Sequence, residues 1–109
     1  MMIPSDAIVA LKRLGSDLAA ARKSRRMTQA NLATRVGVGR NLIGRMETGD
    51  PRVSIGVIMT SAWVLGLEQN LANALRPETD LEFIKRARLS LPERVRPERP
   101  PSEDPELDF

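Results

Sequence analysis

Two helical stretches too short to stand alone, set on either side of a glycine-bearing turn, constrain this sequence most. Thr28 reads as an N-cap for Gln29 to Val36, with Leu32, Ala33 and Val36 on the buried face and Gly37 as the stop. After Val38-Gly39, a second stretch runs from Arg40 to Thr48. Ile43 and Met46 stand at i, i+3, Gly49 ends the stretch and Pro51 enforces the end. The first stretch has only about two and a half turns, and such a helix is marginal without neighbours. The rest of the chain must supply a surface for both.

That surface is helical by pattern. Leu11, Leu14, Leu18 and Ala21 share one face, and Ser5-Asp6 reads as a cap and helix start. Gly15 weakens the middle, so the pattern predicts a short element over 5–14 and a main helix from about Leu14 to Arg26. Ser54 caps a further helix carrying Ile55, Ile58, Met59, Ala62, Trp63 and Leu65, which Gly66 ends. Trp63 is expected in the core. Glu68 to Leu75 makes a fifth, short helix, and Pro77 breaks it. Leu81 to Leu91 fits helix and extended chain equally well. The expectation is an all-α fold: a five-helix domain over 5–76, then a C-terminal extension over 77–96 that is a candidate dimerisation element. An acidic tail over 97–109 follows, where proline-rich composition predicts disorder. A length of 109 residues fits one domain at roughly 150 residues each.

Charge narrows the function. Residues 12–52 hold ten Lys or Arg against three acids, a net +7, whereas 97–109 hold one Arg against five acids, a net −4. A basic body of this kind suits a polyanionic partner. The chain has no His, Cys or Tyr. That removes thiolate zinc sites, the imidazole base, the commonest metal ligand and a Tyr nucleophile, so no enzyme, metal site or cofactor is expected. No apolar run approaches the roughly 20 residues of a membrane span, and the first residues lack a signal-peptide pattern. The expectation is a cytoplasmic protein with no membrane partner.

Two short helices, a tight turn and a basic setting describe a helix-turn-helix. Its physical demands are met residue by residue. Gly37 is free to take positive φ, Val38 plugs the angle between the helices, Ala33 is small where they cross, and Ile43 and Met46 anchor the second helix from below. Residues 14–66 resemble the Xre/Cro-type helix-turn-helix regulators. The resemblance rests on Leu14-Gly15, Leu18, Ala21-Arg22-Lys23, Met27-Thr28-Gln29, Leu32-Ala33, Gly37-Val38, Ile43-Gly44-Arg45-Met46-Glu47 and Gly49. Gly39 and Gly44 depart from it, standing where the family often has Ser. Asn31 departs as well, standing where Glu usually closes a capping box. The Asn31 change is expected to cost from a few tenths to about 1 kcal/mol.

A narrower resemblance lies in Gly49-Asp50-Pro51-Arg52-Val53-Ser54-Ile55-Gly56, in Trp63-Val64-Leu65-Gly66-Leu67 and in Leu91-Pro92-Glu93-Arg94-Val95-Arg96. These segments are similar to HipB-like antitoxins, which accompany HipA-type kinase toxins in toxin–antitoxin operons. The resemblance implies an autorepressor that also binds a HipA-like kinase toxin. The alternatives are a stand-alone regulator with no toxin partner and a protein-interaction module on the same scaffold.

The residue assignments follow. Arg40, Asn41, Gly44 and Arg45 share one side of the second helix, opposite Ile43 and Met46, and should face the major groove. There Arg forks to guanine and Asn to adenine, at about 1–3 kcal/mol of discrimination per bidentate contact. Thr28 and Gln29 sit at a helix N-terminus that attracts phosphate. Gln29 in the resembled family also braces the recognition helix. Thr48, Arg52 and Arg25 are further phosphate candidates, and Arg26 beside Arg25 suits a DNA-backbone contact or a solvated role equally. Leu42 suits either a thymine methyl or simple packing. Arg22 and Glu47 occupy positions that form a structural ion pair in that family. One monomer reads only about four or five base pairs, so a homodimer on a palindromic operator is expected, with reading helices about 34 Å apart.

Overall fold

The structure, a computed structural model, describes residues 1–90. The acidic tail expected over 97–109, like the last part of the extension, lies outside the described residues. The elements are α1 (Ser5–Ser24), α2 (Gln29–Val36), α3 (Arg40–Glu47), α4 (Ile55–Val64), α5 (Glu68–Ala72), a 3-10 turn at Pro77–Thr79 and α6 (Leu81–Ser90). No strand occurs among the described residues, and the fold is all-α. Contacts divide the chain into two units, Met1–Leu75 and Arg76–Phe109. The first holds α1 to α5; in the second, α6 packs on the 3-10 turn before it.

The first unit closes around Leu18, Leu32, Ala33, Ile43, Met46, Val53 and Leu65. Leu32 and Ile43 are fully buried, so the two short helices each contribute one side chain to the centre of the core. Burying a Leu or Ile side chain stabilises by about 1.5–3 kcal/mol, which offsets the marginal stability of helices this short. Val36, Val38 and Leu42 pack against the same cluster from its edge.

Backbone turns set the helix directions. Gly37 takes φ +90°, and its N–H and that of Val38 both donate to the Ala33 carbonyl, at 2.8 and 3.0 Å. A Cβ there would meet nothing within 4 Å, so the left-handed backbone alone is the reason for glycine. α3 ends the same way. Gly49 (φ +82°) donates to Met46 O at 3.0 Å and Asp50 N–H donates to Arg45 O at 3.0 Å, a Schellman motif. α1 ends on the corresponding pair, Arg26 N–H to Lys23 O and Met27 N–H to Arg22 O, but with Arg26 in the left-handed region at φ 58°.

Several expectations are corrected. α1 is one continuous helix through Gly15, not a short element followed by a main one. A single interior Gly costs about 1 kcal/mol against Ala, too little to break twenty residues. Its N-cap is Pro4, whose carbonyl receives Ala7 and Ile8 N–H at 3.0 and 3.1 Å; neither Ser5 nor Asp6 caps it. Asn31 does close a capping box: Thr28 N–H donates to Asn31 Oδ1 at 3.2 Å and Asn31 N–H to Thr28 Oγ1 at 3.0 Å. The expected penalty at Asn31 is therefore removed by the amide oxygen. The fifth helix stops at Ala72, short of Leu75. Residues 81–90, equally compatible with two states by pattern, are helical.

Trp63 is the clearest correction. It is 63% exposed, not in the core. α4 is apolar nearly all round, so its sequence does not say which side faces in. Ser61, Ala62 and Leu65 face in, and Trp63 falls between them on the far side with Ile55 outward as well.

Gly15 has a reason beyond α1. A Cβ on it would lie 2.5 Å from Met46 O and 2.7 Å from Glu47 O. The C-terminal end of α3 thus rests on α1 backbone against backbone. Helix propensity alone predicts that Gly15→Ala stabilises by about 1 kcal/mol. The clash reverses the sign, and we expect a loss of about 2 kcal/mol or more, in the range of overpacking costs. Urea unfolding followed by circular dichroism measures it; a variant more stable than wild type would contradict the backbone contact.

Candidate nucleic-acid interface

α3 presents one side to solvent and one to the core. Ile43 and Met46 are buried, whereas Arg40, Asn41 and Arg45 are exposed. The fourth candidate reader, Gly44, is half-buried, and its missing Cβ would point at the Gln29 amide, 3.9 Å away. That is an ordinary van der Waals distance, so the approach of α2 to α3 does not itself require glycine at this position. Leu42 packs against the core cluster from its edge.

A chain of polar contacts links this surface to the interior. Arg22, buried on α1, donates from Nε to Glu47 Oε2 at 2.7 Å and from Nη2 to Glu47 Oε1 at 3.0 Å, a bidentate pair. Its third nitrogen, Nη1, donates to the Met27 carbonyl at 2.6 Å, at the turn into α2. Glu47 Oε1 also accepts Gln29 Nε2 at 2.9 Å, and Gln29 Oε1 accepts Arg40 Nη1 at 2.8 Å. The Gln29 amide thus joins a buried carboxylate to an exposed arginine, and its two ends are fixed by what each partner can accept or donate. Gln29, a candidate for phosphate contact or for bracing α3, is joined to both Glu47 and Arg40.

The remaining candidates surround this chain. Thr28 Oγ1 accepts Asn31 N–H, which leaves its hydroxyl proton free to donate. Thr48 Oγ1 donates back to Arg45 O at 3.0 Å. Arg25 folds onto the end of α1, where its Nη1 donates to Ala21 O at 2.8 Å. Arg52 is 80% exposed at its side chain and pairs with Asp50. Asp50, which lies in the 49–56 segment, carries no expected site role from the sequence. It accepts Arg52 N–H at 2.9 Å, Arg52 Nε at 3.0 Å and Arg52 Nη2 at 2.9 Å, and lies 3.3 Å from Arg45 Nε. The signal was present: Asp-Pro-Arg after a left-handed Gly reads as a turn whose Asp side chain receives the N–H two residues on.

The electrostatics follow from these contacts. Burial pushes the Glu47 carboxyl up, but the hydrogen bonds from Arg22 and Gln29 and the Arg22 charge outweigh it and hold Glu47 below the ordinary range. Hydrogen bonds from the Arg52 side chain and backbone hold Asp50 at about 2. Among the described residues, no group of acidic, Cys or His side chains is arranged to hold a metal. No helix among them is long and apolar enough to cross a membrane.

A half-exposed short helix, buttressed from behind by a second one and flanked by basic side chains, defines a DNA-binding helix-turn-helix regulator. A family model for the helix-turn-helix domain matches residues 13–75, more than half of the chain, and the chain belongs to that family. It is Xre-like within it. No curated protein matches the chain, and no solved structure does.

The ion pair makes a pH prediction with a definite sign. The folded pKa of Glu47 lies below its unfolded value, so the pair contributes its full stability above about pH 4.5 and loses it as pH falls through the lower folded value. Glu47→Gln leaves Arg22 buried without a counter-charge and should cost about 3 kcal/mol at neutral pH. The gap between wild type and variant should narrow below about pH 4.5. Urea titrations at a series of pH values measure both; a gap that stays constant down to pH 3 contradicts the assignment.

Proposed function

We propose that this chain is a sequence-specific transcriptional repressor that binds a palindromic operator as a homodimer and reads bases with α3. One observation carries the reading: Arg40, Asn41 and Arg45 are exposed on α3 while Ile43 and Met46 on the same helix are buried. In this reading Arg40 and Arg45 fork to guanine, Asn41 pairs with adenine, and Gly44 gives the backbone close access. Thr28, Gln29, Thr48, Arg52 and Arg25 take phosphates and set the register. Arg22 and Glu47 hold α3 in place without touching DNA.

The dimer reading is supported by apolar side chains left uncovered. Leu75, Leu81, Phe83 and Leu89 are 92%, 80%, 51% and 79% exposed, and Ile55 and Trp63 on α4 are exposed as well. Large apolar groups in such number on a small protein commonly mark an interface. The domain division goes with this reading: 5–76 for DNA, 77–96 for dimerisation and 97–109 as an acidic tail.

Selection from random duplexes tests both parts. The wild type should enrich a palindrome whose half-sites lie about 10 base pairs apart. Arg40→Ala and Asn41→Ala should each flatten preference at one position per half-site and leave random-sequence binding nearly intact. The logarithm of affinity should fall with the logarithm of salt at a slope near −7, for roughly eight phosphates per dimer. Enrichment of non-palindromic sites, or an unchanged preference in both variants, contradicts the assignment.

The finer reading is that the repressor is the HipB-like antitoxin of a HipA-like kinase toxin and represses its own operon. Its support is the resemblance carried by residues 49–56, 63–67 and 91–96. The tail supplies the docking segment in this reading, since Leu107 and Phe109 are apolar anchors in a −4 segment that a basic protein surface attracts. Deleting 97–109 should leave operator binding unchanged or slightly stronger and weaken capture of the kinase encoded beside it. Calorimetry with that kinase decides: equal affinity for both forms removes the tail from the contact.

A further inference from the structure

The exit of α3 carries an acid, Asp50, within the basic surface, and its neighbours hold it in place. Gly49, immediately before it, touches α1: a Cβ there would lie 2.7 Å from Lys12 Cα and 2.8 Å from Lys12 N. Asp50 N–H is bound to Arg45 O, and Asp50 O accepts Val53 N–H at 3.2 Å across Pro51 and Arg52. Asp at the first position and Pro at the second are what a type I turn favours. Val53, the last residue of the turn, is buried in the core. The Asp50 carboxylate is therefore pinned from both sides, and its side chain is only 11% exposed.

From that fixed point it engages two arginines, one before it and one after it in the sequence. Arg45 reaches it with Nε at 3.3 Å from the last turn of α3, and Arg52 closes a fork on both oxygens at 3.0 and 2.9 Å. Arg45 is a candidate base reader and Arg52 a candidate phosphate contact. Both cations that flank the C-terminal end of α3 are thus held by one internal anion. The Arg52 side chain remains 80% exposed with this fork made, so the fork fixes its direction while leaving it open to solvent.

We propose that Asp50 is a specificity-determining positioning residue, an internal competitor that occupies Arg45 and Arg52 until DNA supplies anions and base edges in matching positions. The inference rests on the reading of α3 as the DNA-facing helix. The fork takes up Arg52 Nε and Nη2, so a phosphate on random duplex must either pull the guanidinium from the carboxylate or bind its remaining N–H groups beside that anion, and both weaken the contact. Only a docked operator replaces the contacts of both arginines together. Asp50 therefore lowers affinity for random DNA more than affinity for the operator, which raises the ratio between them.

Asp50→Asn tests this in the full chain. Asn keeps a side-chain oxygen for the Arg52 N–H and so retains the turn, but its amide nitrogen cannot accept, so Arg45 Nε and Arg52 Nη2, both held at Oδ2, are released and the negative charge is removed. The variant should bind a random-sequence 30-base-pair duplex about tenfold more tightly, and its salt slope should steepen by about 2 for two added phosphates per dimer. Affinity for the duplex selected by the wild type should rise less, so the specificity ratio falls. Elution from heparin, a polyanion without sequence, separates this inference from the reading it rests on. Asp50→Asn should elute at higher salt than Asp6→Asn, which makes the same charge change at an exposed site on the first turn of α1. In an Arg52→Ala background the extra retention should largely vanish. That pattern supports the inference even if the wild type proves to have no sequence preference, in which case base reading by α3 fails. Equal elution of Asp50→Asn and Asp6→Asn overturns it, as does a parallel loss of affinity for both duplexes. Asp50→Ser, which also supports the turn, must repeat the result; thermal unfolding identifies a variant that has lost its fold, and the Ser form then decides.

Discussion

The position of α3 depends on one buried ion pair. Arg22 and Glu47 lie on helices far apart in sequence, and the two oxygens of Glu47 receive two guanidinium nitrogens and one amide nitrogen. A buried pair of this kind is weak evidence for net stability, because desolvation consumes much of the attraction. Its contribution here is geometric. A short helix packed through Ile43 and Met46 can still rotate about its axis by rearranging apolar contacts. The directional bonds to Glu47 at its last turn remove that freedom, and the third bond of Arg22, to Met27 O, ties the start of α2 to the same point. The angle at which Arg40, Asn41 and Arg45 leave the protein follows from these bonds.

The second constraint is close backbone approach. Gly15 of α1 faces the carbonyls of Met46 and Glu47, and Gly49 faces the backbone of Leu11 and Lys12. Each glycine makes room for the other partner's main chain, so the two contacts reinforce each other along one line of crossing. Left-handed residues then redirect the chain at the ends of α1, α2, α3 and α4: Arg26, Gly37, Gly49 and Gly66. Arg26 is the exception in having a side chain. A non-glycine residue in this region costs about 1 kcal/mol or more, so the tight entry into α2 is maintained by its surroundings rather than by local preference.

The legible part of the fold was the part written in local rules. Cap and stop residues around α2 and α3, the apolar spacing of Leu32, Ala33, Ile43 and Met46, and the turn at Gly37 all act within a few residues. Their structural outcome is close to what their pattern states. Three kinds of feature were not legible. Gly15 reads locally as a weak point, because the α3 carbonyls that require it lie some thirty positions away. Trp63 reads as core, because α4 is apolar nearly all round and periodicity gives no direction. Asn31 reads as a lost capping partner, because residue type alone does not reveal that its amide oxygen reaches the Thr28 N–H. Of the site, the exposed side of α3 was visible from spacing. Asp50 was not, since a lone acid in a basic stretch looks like a solvated charge until Arg45 and Arg52 are seen to converge on it.

The chemistry of the surface has a consequence for how it responds to its surroundings. Its charges are guanidinium groups, lysines and carboxylates, with Glu47 held below its ordinary range and Asp50 at about 2. With no His or Cys in the chain, no side chain has an ordinary pKa between about 4.5 and 10. The electrical pattern that meets a duplex is therefore the same at pH 5 as at pH 8. Within that range acidification is not a signal this surface perceives. Ionic strength and competing macromolecules remain as the variables to which it is tuned, and a Debye length of about 10 Å at 0.1 M salt sets the distance over which it senses them.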